Sequence, residues 1–222
     1  MQIRPPRREF LDAAAKGVIF PLAAEIDGGN IPPLAALCAL RPLGHAVLLE
    51  SVRVHDKIGR YSFVAADPYM VFRSRGESVD LHWTAAPEGK YGKRATVSRK
   101  PLAKLRDLMA NYRTVRLSGL PPFTGGAVGF FSYDFVRQIE KVPHRAADDL
   151  HIPESCFLFM DLVVAYDHVR HRAWVIVNPG AREQEMGFRR PAPGDWGRLY
   201  DEAAQRLEKT VRMLEDGAQP AA

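Results

Sequence analysis

The stretch that decides the fold is His45-Ala46-Val47-Leu48-Leu49-Glu50-Ser51, with Gly59-Arg60-Tyr61-Ser62-Phe63-Val64-Ala65-Ala66-Asp67-Pro68 close behind it. Four consecutive small or branched apolar residues, Ala46 to Leu49, read as a strand buried on both faces. A carboxylate and a hydroxyl at the mouth of such a strand suit a cationic or hydrogen-bonding ligand group. Successive side chains on a regular strand point to opposite faces. Glu50 and Ser51 therefore meet one ligand only if the strand bulges or one of them contributes backbone. The alternative is structural, with Ser51 closing a turn and Glu50 paired to Arg53 or Arg60.

Outward from this stretch, strand signals come in series. Tyr61, Phe63 and Ala65 alternate with Ser62, Val64 and Ala66, and Met70 to Arg75 forms the next strand. Val79, Leu81 and Trp83 then alternate with Ser78, Asp80, His82 and Thr84. Residues 85–99 read as a polar excursion, and Gly125 to Tyr133 as a strand leading to a short helix capped by Asp134. Cys156 to Tyr166 and Ala173 to Val177 read as one hairpin around Asp167-His168-Val169-Arg170-His171.

Helices are expected from Arg8 to Lys16, from Pro33 with a stripe of Leu34, Leu37, Cys38 and Leu40, from Leu102 to Tyr112, and from Trp196 to Glu215. Val18 to Ile26 is expected as a strand. Strands outnumber helices and are joined by short turns, which predicts an α+β protein, mainly antiparallel β-sheet flanked by helices. The expected organisation is one domain over residues 1–217, with 218–222 opening a linker.

The 222 residues are 46% hydrophobic, enough for a sizeable core, and the two cysteines, Cys38 and Cys156, lie far apart. That usage fits a reducing, cytoplasmic compartment with both thiols buried as small hydrophobes. The formal net charge of +5 comes from scattered basic residues, with no nucleic-acid module and no membrane-spanning run. Gly125-Gly126-Ala127-Val128-Gly129 lacks the following helix and Lys-Ser/Thr of a phosphate loop, so these glycines are expected to permit a bulge or close backbone approach. Asp167, His168 and His171 have a metal-like spacing but sit on a turn, without an evident third ligand. No catalytic set and no metal site is assigned from the residues.

The order and spacing of several short motifs resemble component I of anthranilate synthase, among the chorismate-utilising enzymes. They run from Phe20-Pro21 to Glu25, through Leu48-Leu49-Glu50-Ser51, Gly59-Arg60-Tyr61-Ser62-Phe63 and Asp67-Pro68, to Pro122-Phe123-Thr124-Gly125-Gly126-Ala127-Val128-Gly129-Phe130. Tyr133-Asp134, Asp148-Asp149-Leu150, Pro153, Phe159-x-Asp161 and Tyr166-Asp167-His168 complete the set.

The resemblance implies a regulatory N-terminal part, in which Ser51 contacts the feedback inhibitor L-tryptophan, Glu50 assists and Leu49 lines the pocket. It implies as partners a catalytic chorismate-binding half, with the Mg²⁺ site and the other pocket wall, and a glutamine amidotransferase component II. No motif of that catalytic half occurs here, so this chain is expected to hold no cofactor, to be silent alone and to leave an apolar face exposed. The resemblance leaves two other readings open. One is a free-standing tryptophan-binding module complementing a separate catalytic chain. The other is the corresponding part of a 4-amino-4-deoxychorismate synthase component.

Overall fold

A computed structural model describes residues 1–16, 20–50, 59–84, 94–98, 100–111, 115, 117–143, 148–182 and 191–217. The chain divides into two compact units. The first comprises Met1–Pro68, Tyr112–Gly126 and Met160–Ala222, and the second Tyr69–Asn111 and Ala127–Phe159. The fold is α+β with two antiparallel sheets, as the sequence predicts.

In the first unit the strands are β1 (Ile3–Arg4), β2 (Leu22–Ile26), β3 (Ala46–Leu49), β4 (Tyr61–Ala66), β10 (Leu162–Asp167) and β11 (Arg172–Val177). They lie in the order β1-β2-β11-β10-β4-β3. The helices α1 (Arg7–Ala14), α2 (Pro33–Leu40) and α4 (Trp196–Gly217) bury their apolar faces against one side of this sheet. In α4 that face includes Trp196, Leu199, Ala203, Leu207, Val211 and Leu214, as the helical period predicts, together with Tyr200 and Thr210, which it did not single out. Val64, Ala66, Leu162, Val164, Val175 and Val177 meet it from the sheet.

The second unit holds β5 (Met70–Arg75), β6 (Ser78–Trp83), β7 (Arg94–Ser98), β8 (Gly126–Phe131, its first residue in the other unit), β9 (Ser155–Met160, its last likewise) and α3 (Pro101–Asn111). The sheet order is β7-β6-β5-β9-β8. Val79, Leu81 and Trp83 are buried, as their alternation predicts.

Five expectations are corrected. The Ala46–Leu49 strand is not buried on both faces: among the described residues it is an edge strand bonded to β4 alone, with Leu49 exposed. The run from Cys156 is not one strand but two, β9 and β10, separated at Asp161 and belonging to different sheets. β7 lies inside the stretch read as a polar excursion, paired with β6. Of the expected α2 stripe, Leu37 and Leu40 face the core, but Leu34 and Cys38 are exposed and Ala36, one helical turn before Leu40, is buried instead. β2 starts at Leu22 rather than Val18. Residues 218–222, expected to open a linker, lie outside the described residues.

Candidate functional site

The decisive strand is placed by its partner. In the β3–β4 register Leu49 sits opposite Phe63, Leu48 opposite Val64 and Val47 opposite Ala65. Opposed residues of an antiparallel pair share a face. Leu48 and Val64 therefore point into the helix-covered core, while Leu49 and Phe63 point the other way.

On that second face the aromatic rings form a continuous wall. Tyr61 and Phe63 have ring centroids 6.1 Å apart, and Phe123 meets Phe63 edge-on at 5.5 Å. The Arg60 guanidinium lies 5.0 Å from the centre of the Tyr61 ring. Leu49, 44% exposed, closes β3 opposite Phe63, and Glu50 follows it into solvent. Ser51, the residue expected to contact a ligand, lies outside the described residues, as does Arg53. The alternative pairing of Glu50 with Arg60 is not what the structure uses, because Arg60 clasps a different carboxylate.

That carboxylate is Asp167. Arg60 donates from Nε to Oδ1 at 3.0 Å and from Nη2 to Oδ2 at 2.6 Å, a two-pronged bond across the end of the β4–β10 pair. Burial would raise the Asp167 carboxyl, but the Arg60 bond and the N–H groups of Arg170 and Val169 outweigh it and hold the pKa below the usual range. Beside it the Ser62 hydroxyl lies 2.7 Å from His168 Nε2. Ser62 is fully buried within the sheet, so this pair is a structural contact rather than an exposed nucleophile.

The opposite end of β4–β10 is locked by a denser cluster. Arg182 donates to both oxygens of Asp161, at 2.7 and 3.0 Å, and to Asp67 Oδ2 at 2.8 Å. Arg206 of α4 donates to the same three oxygens at 2.8, 3.1 and 2.7 Å. Burial would raise the Asp161 carboxyl, yet the charges of Arg206 and Arg182 prevail and hold it far below the ordinary carboxylate range. Asp67 carries φ 57°, a left-handed conformation that aspartate tolerates, and its carbonyl oxygen also accepts from Arg182. β4 is thus pinned at both ends, and β3 inherits its position from β4.

Sequence reasoning reached Asp67, Asp161 and Asp167 only as motif members and missed Arg182 and Arg206 as their partners. One signal for Arg206 was available: it lies between Ala203 and Leu207 at the rim of the apolar stripe of α4, where a charged residue needs a partner. Arg182 left no comparable signal.

Two tempting motifs resolve structurally. The glycine-rich run forms β8, and a Cβ on Gly129 would lie 1.9 Å from the Cys156 carbonyl oxygen, so close backbone approach is the reason for that glycine. His168 and Asp167 are engaged as above. Among the described residues no three His, Cys, Asp or Glu side chains gather around a possible metal position. Asp67 and Asp161, each bound by two guanidinium groups, do not fit the all-oxygen cage that Mg²⁺ takes.

No family model matches the chain. It is 31% identical over 198 residues to anthranilate synthase component 1 of Acetivibrio thermocellus, covering 89% of this chain and 37% of that protein. It is 33% identical over 218 residues to anthranilate synthase component 1 of Mycobacterium tuberculosis (strain ATCC 25618 / H37Rv), covering 94% and 39%. The crystal structure of anthranilate synthase component I from Streptococcus pneumoniae TIGR4 aligns with a TM-score of 0.50 and 25% identity, over 88% of this chain and 37% of that one.

The two antiparallel sheets and their helices match a fragment of the anthranilate synthase component I fold. The chain resembles the N-terminal part of anthranilate synthase component I and spans under two-fifths of the A. thermocellus and M. tuberculosis relatives. Among the described residues no helix is long and apolar enough to cross a membrane.

Proposed function

We propose that this chain is the tryptophan-sensing, regulatory part of an anthranilate synthase. Catalysis then belongs to a chorismate-binding half, which converts chorismate to anthranilate and pyruvate with Mg²⁺. A glutamine amidotransferase component supplies the ammonia. The observation that carries the reading is the aromatic wall of Tyr61, Phe63 and Phe123 beside the exposed end of β3. An indole ring has a surface to pack against there, edge-on or offset. The Glu50 carboxylate and the Ser51 hydroxyl suit the ligand's ammonium group through charge-assisted hydrogen bonds. This chain's own part is to bind the inhibitor and pass its presence on.

Calorimetry with L-tryptophan, on this chain alone and mixed with a separately expressed chorismate-binding half, tests the reading. Turnover restored only in the mixture, and inhibited there by tryptophan, supports it. Ser51→Leu in that mixture is expected to relieve inhibition while sparing turnover. Inhibition unchanged in that variant removes Ser51 from the site, and an uninhibited mixture overturns tryptophan sensing. Micromolar binding to the isolated chain with no gain from the mixture favours a free-standing sensor.

A further inference from the structure

We propose that the first unit carries a separate binding site for a free α-amino acid with an apolar side chain, formed by Trp174, Arg4 and Glu9. A cavity of about 470 Å³ opens on the sheet face away from the helices, at the β1–β2–β11 end. That volume lies in the range of small-molecule sites. The pairings Arg4 with Ala23, Ala23 with Ile176 and Glu25 with Trp174 put Arg4, Ala23, Glu25 and Trp174 on one face. Leu117 and Leu120 line the cavity from the segment before β8, and Glu9 does so from α1.

The charges within this cavity are not equivalent. Glu25 is bound through both its oxygens by Arg172, whose guanidinium also lies 5.1 Å from the centre of the Trp174 ring. The Arg172 hydrogen bond holds the Glu25 carboxyl below its usual range. Arg4 and Glu9 form no ion pair among the described residues and both are exposed at the cavity wall, while the Arg4 charge also helps, after Arg172, to hold the Glu25 carboxyl down. A cation and an anion outside any ion pair among the described residues, with Ala23, Leu117, Leu120 and Trp174 between polar neighbours Gln2 and Ser118, match a zwitterion with an apolar side chain. The ligand carboxylate meets the Arg4 guanidinium, which is built for two-pronged carboxylate bonds. The ammonium group meets Glu9, and the apolar side chain covers Ala23, Leu117, Leu120 and Trp174. The site does not coincide with the β3 surface: β11, β10 and β4 lie between β2 and β3, a separation of about 19 Å at ordinary strand spacing.

Calorimetric titration of the 222-residue chain with L-leucine, isocaproate and isopentylamine is the test. L-Leucine is expected to bind, and each analogue, lacking one charged group, to bind about tenfold more weakly or worse. Arg4→Gln and Glu9→Gln are each expected to weaken L-leucine about tenfold with the urea midpoint unchanged. Ser51→Leu is expected to leave it intact, which separates this site from the proposed tryptophan surface. Absent binding of L-leucine, equal binding of the analogues, insensitivity to both charge variants, or loss on Ser51→Leu would each overturn the inference.

Discussion

Asp161 shows how one residue sets the architecture around it. It interrupts an apolar run that would otherwise continue as a single strand, and its carboxylate draws in Arg182 and Arg206 from later in the chain. Replacing it with asparagine leaves two partly buried guanidinium groups with Asp67 as their remaining carboxylate among the described residues. The expected cost is about 3–5 kcal/mol, read as a fall in the urea midpoint of Asp161→Asn. The pH dependence follows from the sign of the shift. The folded-state pKa is depressed, so the stabilisation is present above the unfolded value of about 3.9 and is lost as pH falls toward the folded value. The gap between wild type and Asp161→Asn should therefore narrow as pH is lowered below about 4, and a constant gap would contradict the ionised cluster. Gly129 makes the same point sterically. Gly129→Ala puts a methyl group into the Cys156 carbonyl, and its expected result is loss of the β8–β9 pairing, seen as rapid amide exchange in both strands.

At the scale of elements, legibility tracked how local the determining interaction was. β5, β6 and α4 were readable because alternation at Val79, Leu81 and Trp83, and the helical period from Trp196 to Leu214, encode burial within a few residues. Leu207 is the fully buried midpoint of that α4 face, and Leu207→Ala is expected to cost about 2–5 kcal/mol in thermal or urea unfolding. β3 was misread because four apolar residues look alike in a central strand and in an edge strand with an aromatic second face. The fully buried pattern belongs instead to β10, where Leu162 to Asp167 has neighbours on both sides. The site was legible only in part. Leu49 and Glu50 lie at the open end of β3, and Arg60 holds Asp167, a partner 107 positions away that no spacing rule reaches. Cys38 was likewise assigned to the core by residue type alone and faces solvent.

For the molecule as a whole, exposed apolar side chains concentrate in the second unit. Tyr133 is 91% exposed and Leu150 74%, with Phe130, Phe131, Ile139 and Ile152 also open. Apolar surface gathered in this way drives association. Sedimentation of the isolated chain is expected to show concentration-dependent self-association, reduced in a Tyr133→Ser, Ile139→Ser, Leu150→Ser variant with an unchanged urea midpoint. An identical profile for the variant would remove that surface as the cause. The division into units also has a consequence for how the protein is made. β3 and β4 leave the ribosome early with α2 already made to cover part of their apolar side, but their sheet cannot join β2 until β10 and β11 emerge, and the cover is incomplete until α4 follows. All of the second unit is synthesised in that interval. During translation, the sheet that carries the proposed sensing surface is therefore the last to close, and it is the part of the nascent chain that a chaperone must shield longest.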